Sequence, residues 1–140
     1  MSARILIAED HADSMALMRY LLEAHGYVTL CAADGEHAVA LARGERPDLI
    51  VCDLQMPVLN GYGVVERLKQ DAALSSIPLV AVTAFSMLGD REAVLAAGFD
   101  GYFSKPIQAA RFVTELEQFL PPALRAPRRG GAGGATDAGS

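Results

Sequence analysis

Hydrophobic residues are concentrated in five short runs along the chain, and polar or mixed segments separate one run from the next. The runs at residues 49–52 and 79–82 are rich in β-branched residues and show no alternation with polar ones. This pattern is typical of strands that are buried on both faces of a parallel sheet. We therefore predict five strands: residues 4–8, 27–31, 49–53, 79–83 and 101–104.

Between these runs, apolar residues recur at intervals of three and four, which predicts amphipathic helices. Glycine or proline residues follow all of these helical segments except the third and indicate where each of those four ends. We expect five helices: residues 13–25, 34 to about 44, 60 to about 70, about 91 to 97, and 107–120. Alternating strands and helices imply a parallel sheet with right-handed crossovers and helices on both faces.

The composition indicates a single globular domain followed by a tail. The chain has 140 residues, of which 51% are hydrophobic and 21% are charged, and this is ordinary for a globular protein with a substantial core. We assign residues 1–120 to the domain. Residues 121–140 are rich in Gly, Ala, Pro and Arg and have little to bury, so we expect them to be disordered.

The distribution of charge argues against nucleic-acid binding. Three of the 12 basic residues but only one of the 17 acidic residues lie after position 120, so the first 120 residues carry a net charge of −7. Contacts to phosphates require clustered Lys and Arg. No apolar run approaches the roughly 20 residues of a membrane span, and the N-terminus lacks a signal-peptide core. We expect a cytoplasmic protein that binds neither DNA nor membranes.

The two cysteines, Cys31 and Cys52, both lie in strand-like apolar runs. We expect buried free thiols there rather than a disulfide or a metal-binding pair.

Four of the predicted strands end in polar side chains. Glu9 and Asp10 follow the first strand, Asp53 ends the third, Thr83 ends the fourth and Lys105 follows the fifth. Each has an ordinary explanation by itself, as a helix cap, a buried hydroxyl or a solvated charge. However, the carboxyl ends of parallel strands share one edge of the sheet, where open α/β sheets bind ligands. The five side chains together therefore predict a single site.

The chemistry of these side chains favours phosphoryl transfer. Two like charges about 4 Å apart repel by roughly 4 kcal/mol at an effective dielectric constant near 20, and Lys105 alone does not balance three carboxylates. Mg²⁺ would, because it prefers carboxylate oxygens and bridges to phosphate. An Asp53 oxygen could then attack phosphorus, while the cations neutralise the charge on the transferred group.

Four motifs resemble the receiver domains of response regulators in bacterial two-component signalling. They are ILIAEDH at 5–11, LIVCDLQMPVLNG at 49–61, AVTA at 81–84 and GYFSKPI at 101–107. The resemblance covers residues 4–120 and implies a flavodoxin-like, doubly wound α/β fold with strand order 2-1-3-4-5. It also implies a cis peptide bond before Pro106. The run VTAFSMLGD at 82–90 is most similar to single-domain regulators of the DivK type and to receivers of hybrid histidine kinases.

The resemblance implies roles for the polar strand ends. Asp53 would be the phosphoacceptor. The magnesium ligands would be Glu9, Asp10, Asp53 and the backbone carbonyl of Gln55. The side chains of Thr83 and Lys105 would contact the phosphoryl oxygens.

The resemblance also implies a switch and sites that set the lifetime of the phosphorylated state. Thr83 and Tyr102 would form the switch, with Tyr102 moving as the Thr83 hydroxyl is drawn to the phosphoryl group. Gln55 and Phe85 would tune the lifetime, and we expect Phe85 to shield the phosphoryl group from water. His11 follows the acidic pair, but imidazole is softer than Mg²⁺ prefers, so we expect a polar residue at the mouth of the loop.

The expected function is that of a single-domain response regulator. It would accept a phosphoryl group from a phosphohistidine of a histidine kinase or phosphotransfer protein and signal to a protein target through helix 4, strand 5 and helix 5. It would not be an enzyme beyond assisting its own phosphorylation and slow dephosphorylation. Alternatively, the chain is a receiver fragment of a hybrid histidine kinase or multidomain regulator.

Functions of three other classes fit the sequence less well. A docking module that is never phosphorylated would not need the complete acceptor site. A phosphatase of the haloacid-dehalogenase type needs a second Asp two residues after the nucleophile, where this chain has Gln55. A flavodoxin-type FMN carrier binds a phosphate in its first loop, where Glu9 and Asp10 would repel that anion.

Overall fold

The computed structural model describes residues 3–84 and 90–125. Five parallel strands form one sheet in the order β2-β1-β3-β4-β5, so the predicted flavodoxin-like topology is confirmed. The strands are β1 (Arg4–Ala8), β2 (Val28–Ala32), β3 (Leu49–Asp53), β4 (Leu79–Thr83) and β5 (Gly101–Ser104). The helices are α1 (Ala12–Ala24), α2 (Gly35–Glu45), α3 (Gly61–Lys69), α4 (Asp90–Ala97) and α5 (Phe112–Glu117).

The core lies in two layers, one on each face of the sheet. Every residue of β3 and β4 is buried, as the unbroken apolar runs predicted. Because successive strand residues point to opposite faces, Leu6 and Ile50 belong to one hydrophobic cluster, and Ile5 and Val51 belong to the other. The edge strand β2 is less buried, with only its last residue, Ala32, fully inside.

The ends of several helices follow the signals in the sequence. Asp34 and Asn60 are the N-caps of α2 and α3, and each side chain accepts a hydrogen bond from the backbone N–H three residues further along. Gly26 and Gly98, which come just after α1 and α4, have φ angles of 91° and 120°. These left-handed conformations are the usual helix ends for glycine. The Lys105–Pro106 peptide bond is cis, as expected.

The prediction for α5 was too long. The α-helix covers six residues, Phe112–Glu117, rather than residues 107–120. Residues 108–110 are exposed, so no side chain there packs against the sheet, and short helices depend on such packing. Phe112 and Leu116 are buried and hold the helical part in place. After it, Phe119 N–H donates to the carbonyl of Leu116 at 3.0 Å, which is the tighter spacing of a 3₁₀ turn.

The segment after position 120 also differs from the expectation of a disordered tail beginning at residue 121. Pro122–Leu124 form a short 3₁₀ helix, because proline at its first position has a suitable φ and Leu124 packs against the core. Residues 126–140, and Phe85, lie outside the described residues, so the expectations for them stay predictions. Within the described part of the chain, no helix combines the length and the apolar character needed to cross a membrane.

Candidate functional site

The polar strand ends meet at the carboxyl edge of the sheet, as predicted. Asp53 and Thr83 are the last residues of β3 and β4. Glu9, which follows β1, is buried together with Asp53 and Thr83. Lys105, which follows β5, reaches across to this group. Strand ends that are far apart in the sequence therefore form one cluster of charged and hydroxyl groups.

Lys105 joins two of the carboxylates directly. Its Nζ atom lies 2.8 Å from Oε1 of Glu9 and 3.0 Å from Oδ2 of Asp53. The side chain of Glu9 is fully buried, and those of Asp53 and Lys105 are only 5% and 14% exposed. Because a buried charge is costly unless it is paired, the ammonium group of Lys105 is what allows two carboxylates to remain side by side here.

The β3–α3 loop holds the Asp53 side chain in place. The backbone N–H of Gln55 donates to Oδ1 of Asp53 at 3.0 Å. The loop then folds back, and Gly61 N–H donates to the Leu54 carbonyl at 3.0 Å. A Cβ atom on Gly61 would lie 2.7 Å from the backbone oxygen of Asp53, so only glycine allows this close approach. The sequence places Gly61 after the turn, but the contact is visible only in the structure.

Burial and charge act against each other on these groups. Burial raises the pKa of Glu9 above its ordinary value, and the neighbouring Asp53 carboxylate also raises it, although Lys105 acts in the opposite direction. Burial acts to lower the pKa of Lys105, but its contacts with Glu9 and Asp53 outweigh this effect and the pKa is raised. Lys105 is therefore held in its charged form, while Glu9 lacks sufficient positive charge around it.

Four side chains at this edge could hold a metal ion. One ligand atom each from Glu9, Asp10, His11 and Asp53 lies within 4.8 Å of all the others. Oε1 of Glu9 is buried and pairs with the Lys105 ammonium group at 2.8 Å, but within the described part of the chain it accepts no hydrogen bond of normal geometry. Carboxylate oxygens that can still accept a further bond are suitable ligands for a hard divalent cation such as Mg²⁺. The residues present therefore fit the ion that the sequence predicted.

His11 is an exposed polar residue at the mouth of a cavity, and its ring also contacts the acidic side chains. Its Nδ1 atom lies 3.3 Å from Oε2 of Glu9 and 3.3 Å from Oδ1 of Asp10, so the ring belongs to the carboxylate cluster. Its backbone N–H also donates to Oε2 of Glu9 at 3.1 Å. The position of His11 two residues after Glu9 is the only signal in the sequence that could have indicated this contact.

A cavity of about 700 Å³ opens beside the cluster. Its wall includes residues from two loops, the start of α3 and the end of β4: Asp10, His11, Gln55, Asn60, Tyr62 and Thr83. Sequence reasoning missed Tyr62, which is 41% exposed and packs edge-to-face on the buried Phe99 with 6.4 Å between the ring centroids. No motif marks this residue, because its place in the cavity wall depends on how α3 packs.

Tyr102, the predicted switch residue, is half-buried on β5 and packs against the hydrophobic cluster that contains Ile50 and Val94. Its ring therefore lies on the face of the sheet that α4 covers. Thr83 pairs with Ser104 across the ladder between β4 and β5, so the two predicted switch residues lie on adjacent strands. A movement of the Tyr102 ring stays a prediction.

Residues 5–117 match the model for response regulator receiver domains. The chain belongs to the receiver-domain family. This match confirms the resemblance inferred from the motifs.

The most informative relative by sequence is the polar-differentiation response regulator DivK of Brucella anthropi. This receiver domain is 43% identical to it over 120 residues, which is 86% of this chain and 98% of the relative. DivK of Brucella ovis is 42% identical over the same length. The similarity to DivK-type regulators that the segment 82–90 indicated is thus found along most of the chain.

Solved structures of other receivers are similar in fold. One is the receiver domain of the sensor histidine kinase PA1611 from Pseudomonas aeruginosa PAO1, which has a magnesium ion coordinated in its active site cleft. It is 32% identical, with a TM-score of 0.78 over 85% of this chain and 98% of that one. The chemotaxis response regulator CheY4 of Vibrio cholerae is 26% identical, with a TM-score of 0.81 over 86% of this chain and 100% of that one.

Proposed function

We propose that this receiver domain accepts a phosphoryl group on Asp53 from a phosphohistidine, in a magnesium-dependent reaction. The observation that carries the proposal is the pairing of the nearly buried Asp53 with Lys105, whose Nζ lies 3.0 Å from Oδ2. Lys105 pairs two buried carboxylates, and the same ammonium group is placed to neutralise additional negative charge on Asp53. The arrangement is therefore suited to a nucleophile whose product is more negatively charged than the free carboxylate.

In the proposed reaction, an oxygen of the Asp53 carboxylate attacks the phosphorus atom of the donor. The P–N bond breaks, its electron pair returns to the imidazole of the donor, and an acyl phosphate forms on Asp53. A magnesium ion held by Glu9, Asp10, Asp53 and the carbonyl of Gln55 would supply positive charge that neutralises the phosphoryl oxygens. Lys105 remains charged and would stabilise the same oxygens from the β5 side.

Phosphorylation of Asp53 would change the surface that the domain presents to a partner. Thr83 is fully buried at the end of β4, and a hydrogen bond from its hydroxyl to the phosphoryl group would shift it towards Asp53. Tyr102 on the neighbouring strand would then occupy the vacated space and alter the face formed by α4, β5 and α5. Such a change is a shift between two populated states of one fold.

The partners follow from the same chemistry. The phosphoryl donor would be a histidine kinase or a histidine phosphotransfer protein of a bacterial cytoplasm. The target would be a protein that binds the α4–β5–α5 face. The domain would assist its own phosphorylation and slow dephosphorylation without being an enzyme. Residues 1–120 carry a net charge of −7, which would repel DNA phosphates and therefore supports a protein target over DNA.

The proposed function is tested by incubating the protein with Mg²⁺ and acetyl phosphate and measuring its intact mass. We expect an adduct of about 80 Da, which requires Mg²⁺ and is absent in Asp53→Asn. Asp71→Asn, a change of the same chemistry after α3, should retain the adduct and serves as the matched control. A wild-type protein without an adduct would favour a docking module that works without phosphorylation.

A further inference from the structure

We propose that His11 makes this cation site selective for transition-metal ions, so that Mn²⁺ binds the carboxylate cluster with the His11 imidazole as an additional ligand and more tightly than Mg²⁺ does. This inference rests on the proposed function, because it uses the same cation site. It concerns a residue that the ligand set implied by the family resemblance does not include. It also changes which metal the site prefers.

The first support is the distance between the candidate ligand atoms. Nδ1 of His11 lies 3.3 Å from Oε2 of Glu9 and 3.3 Å from Oδ1 of Asp10. With metal–ligand bonds of about 2.1 Å, two neighbouring ligands of an octahedral ion are about 3 Å apart. The three atoms are therefore close to the spacing of ligands that share one ion. The greatest separation in the cluster, up to 4.8 Å, closes with a small side-chain movement.

The second support is the way in which the loop holds the histidine. His11 is the N-cap residue of α1, with extended backbone angles of −85° and 120°. Its backbone N–H donates to Oε2 of Glu9, so the backbone of His11 and the buried carboxylate are fixed relative to each other. The side chain itself is 70% exposed. The ring can therefore rotate onto a bound ion without disturbing the core.

The third support is the chemistry of the donor set. The three carboxylates suit Mg²⁺ and Mn²⁺ alike, whereas an imidazole nitrogen is a poor ligand for Mg²⁺ and adds affinity for first-row transition ions. A mixed set of oxygen and nitrogen donors therefore discriminates between the two classes of ion. With Mg²⁺ bound, His11 would remain outside the coordination sphere. With Mn²⁺ bound, it would enter.

The test uses the full-length protein and Mn²⁺ alone as the probe. Pulsed electron paramagnetic resonance of bound Mn²⁺ reports a coordinated imidazole through modulation of the echo by the ¹⁴N nucleus. We expect this modulation in the wild type and its loss in His11→Asn. His25→Asn, at the far end of α1, is the matched control and should keep the modulation.

A competition titration supplies the second readout. Mg²⁺ is added to displace Mn²⁺, and the ratio of the two dissociation constants is compared between variants. We expect the preference for Mn²⁺ over Mg²⁺ to fall by about tenfold or more in His11→Asn and to be unchanged in His25→Asn. Circular dichroism of His11→Asn checks that the fold is intact, which the exposure of the side chain leads us to expect.

The outcomes separate this inference from the proposed function. If the wild type gains the Asp53 adduct with Mg²⁺ but bound Mn²⁺ shows no ¹⁴N modulation, the inference is wrong and the proposed function stands. If the modulation is present and depends on His11 but no adduct forms, the metal assignment holds and the phosphoryl-transfer proposal fails. An unchanged Mn²⁺ preference in His11→Asn also overturns the inference.

Discussion

Lys105 and Asp53 are 52 residues apart in the sequence and are joined by a 3.0 Å hydrogen bond at the edge of the sheet. The same ammonium group lies 2.8 Å from Glu9. Lys105 is therefore the positive charge nearest to both buried carboxylates. Because its pKa is raised by these contacts, it stays charged, and it would compete with a divalent cation for the same oxygens.

This relationship predicts the effect of Lys105→Met. We expect the rate of Asp53 phosphorylation by acetyl phosphate to fall by about 10²-fold, because a positioned donor to the developing charge is removed. The affinity for Mg²⁺ should increase, because the carboxylates lose a competing cation. Adduct formation followed by mass spectrometry and a calorimetric Mg²⁺ titration measure the two effects. Lys69→Met, on the exposed side of α3, should change neither of them.

The close approach of Gly61 to Asp53 predicts opposite effects for two glycine substitutions. In Gly61→Ala, the new Cβ would lie 2.7 Å from the Asp53 carbonyl and 2.9 Å from Cα of Leu54. Relief of this contact requires a backbone shift, so we expect the free energy of unfolding to fall by roughly 1–3 kcal/mol and phosphorylation of Asp53 to slow.

The control for this prediction is Gly44→Ala. Gly44 lies in α2, and a Cβ there would meet no atom within 4 Å. Since alanine is the better helix former, this substitution should raise the free energy of unfolding by about 0.5–1 kcal/mol. Urea denaturation of both variants gives the two values. Equal changes in the two variants would contradict the crowding at Gly61.

The parts of this fold that the sequence predicted well are those in which local pattern and tertiary environment agree. β3 and β4 were placed correctly because five consecutive residues are buried on both faces, which demands an unbroken apolar run. The convergence of Glu9, Asp53 and Lys105 follows from parallel topology, since the ends of parallel strands share an edge. Neither conclusion required knowledge of side-chain positions.

Other features depend on packing that no local pattern reports. The start of α5 is set by where Phe112 meets the sheet, and the exposed residues 108–110 before it have no packing against the sheet to hold them in a helix. The approach of His11 to two carboxylates depends on the course of the β1–α1 loop. The place of Tyr62 in the cavity wall depends on its contact with Phe99. Apart from the two-residue spacing between Glu9 and His11, the spacing of residues along the chain predicts none of these.

The two cysteines should differ in reactivity. Cys52 is completely buried in β3, and burial, together with the nearby carboxylate of Asp53, raises the pKa of its thiol. Cys31 is half-buried on the edge strand β2. Because the thiolate is the reactive form, we expect a thiol reagent to modify Cys31 first in the native protein and Cys52 only on unfolding.

Peptide mapping after timed labelling at pH 8 measures the two rates separately. Cys31→Ser provides the control, and it should leave a native protein that reacts with the reagent only after denaturant is added. Rapid labelling of Cys52 in this native variant would mean that β3 is open to solvent, in conflict with the buried core strand.

Val58 is a β-branched residue in a left-handed conformation, with φ of 71°. The Leu59 N–H donates to the Pro57 carbonyl at 2.7 Å, so Val58 is the central residue of a γ-turn, and this form of the turn is strained. Its side chain is 76% exposed and therefore gains little from packing. A left-handed residue with a Cβ costs about 1–2 kcal/mol.

Val58→Gly should therefore stabilise the protein. The substitution removes the strain at position 58, which stabilises the folded state. Glycine also increases the conformational entropy of the unfolded chain, which opposes this gain. The net result we expect is a rise of about 0.5–1 kcal/mol in the free energy of unfolding. Val28→Gly is the matched control, because Val28 is also exposed but lies in the extended strand β2; it should destabilise instead. Urea denaturation with unchanged m-values measures both. If Val58→Gly destabilised the protein as much as Val28→Gly, the turn at Val58 would not be under strain.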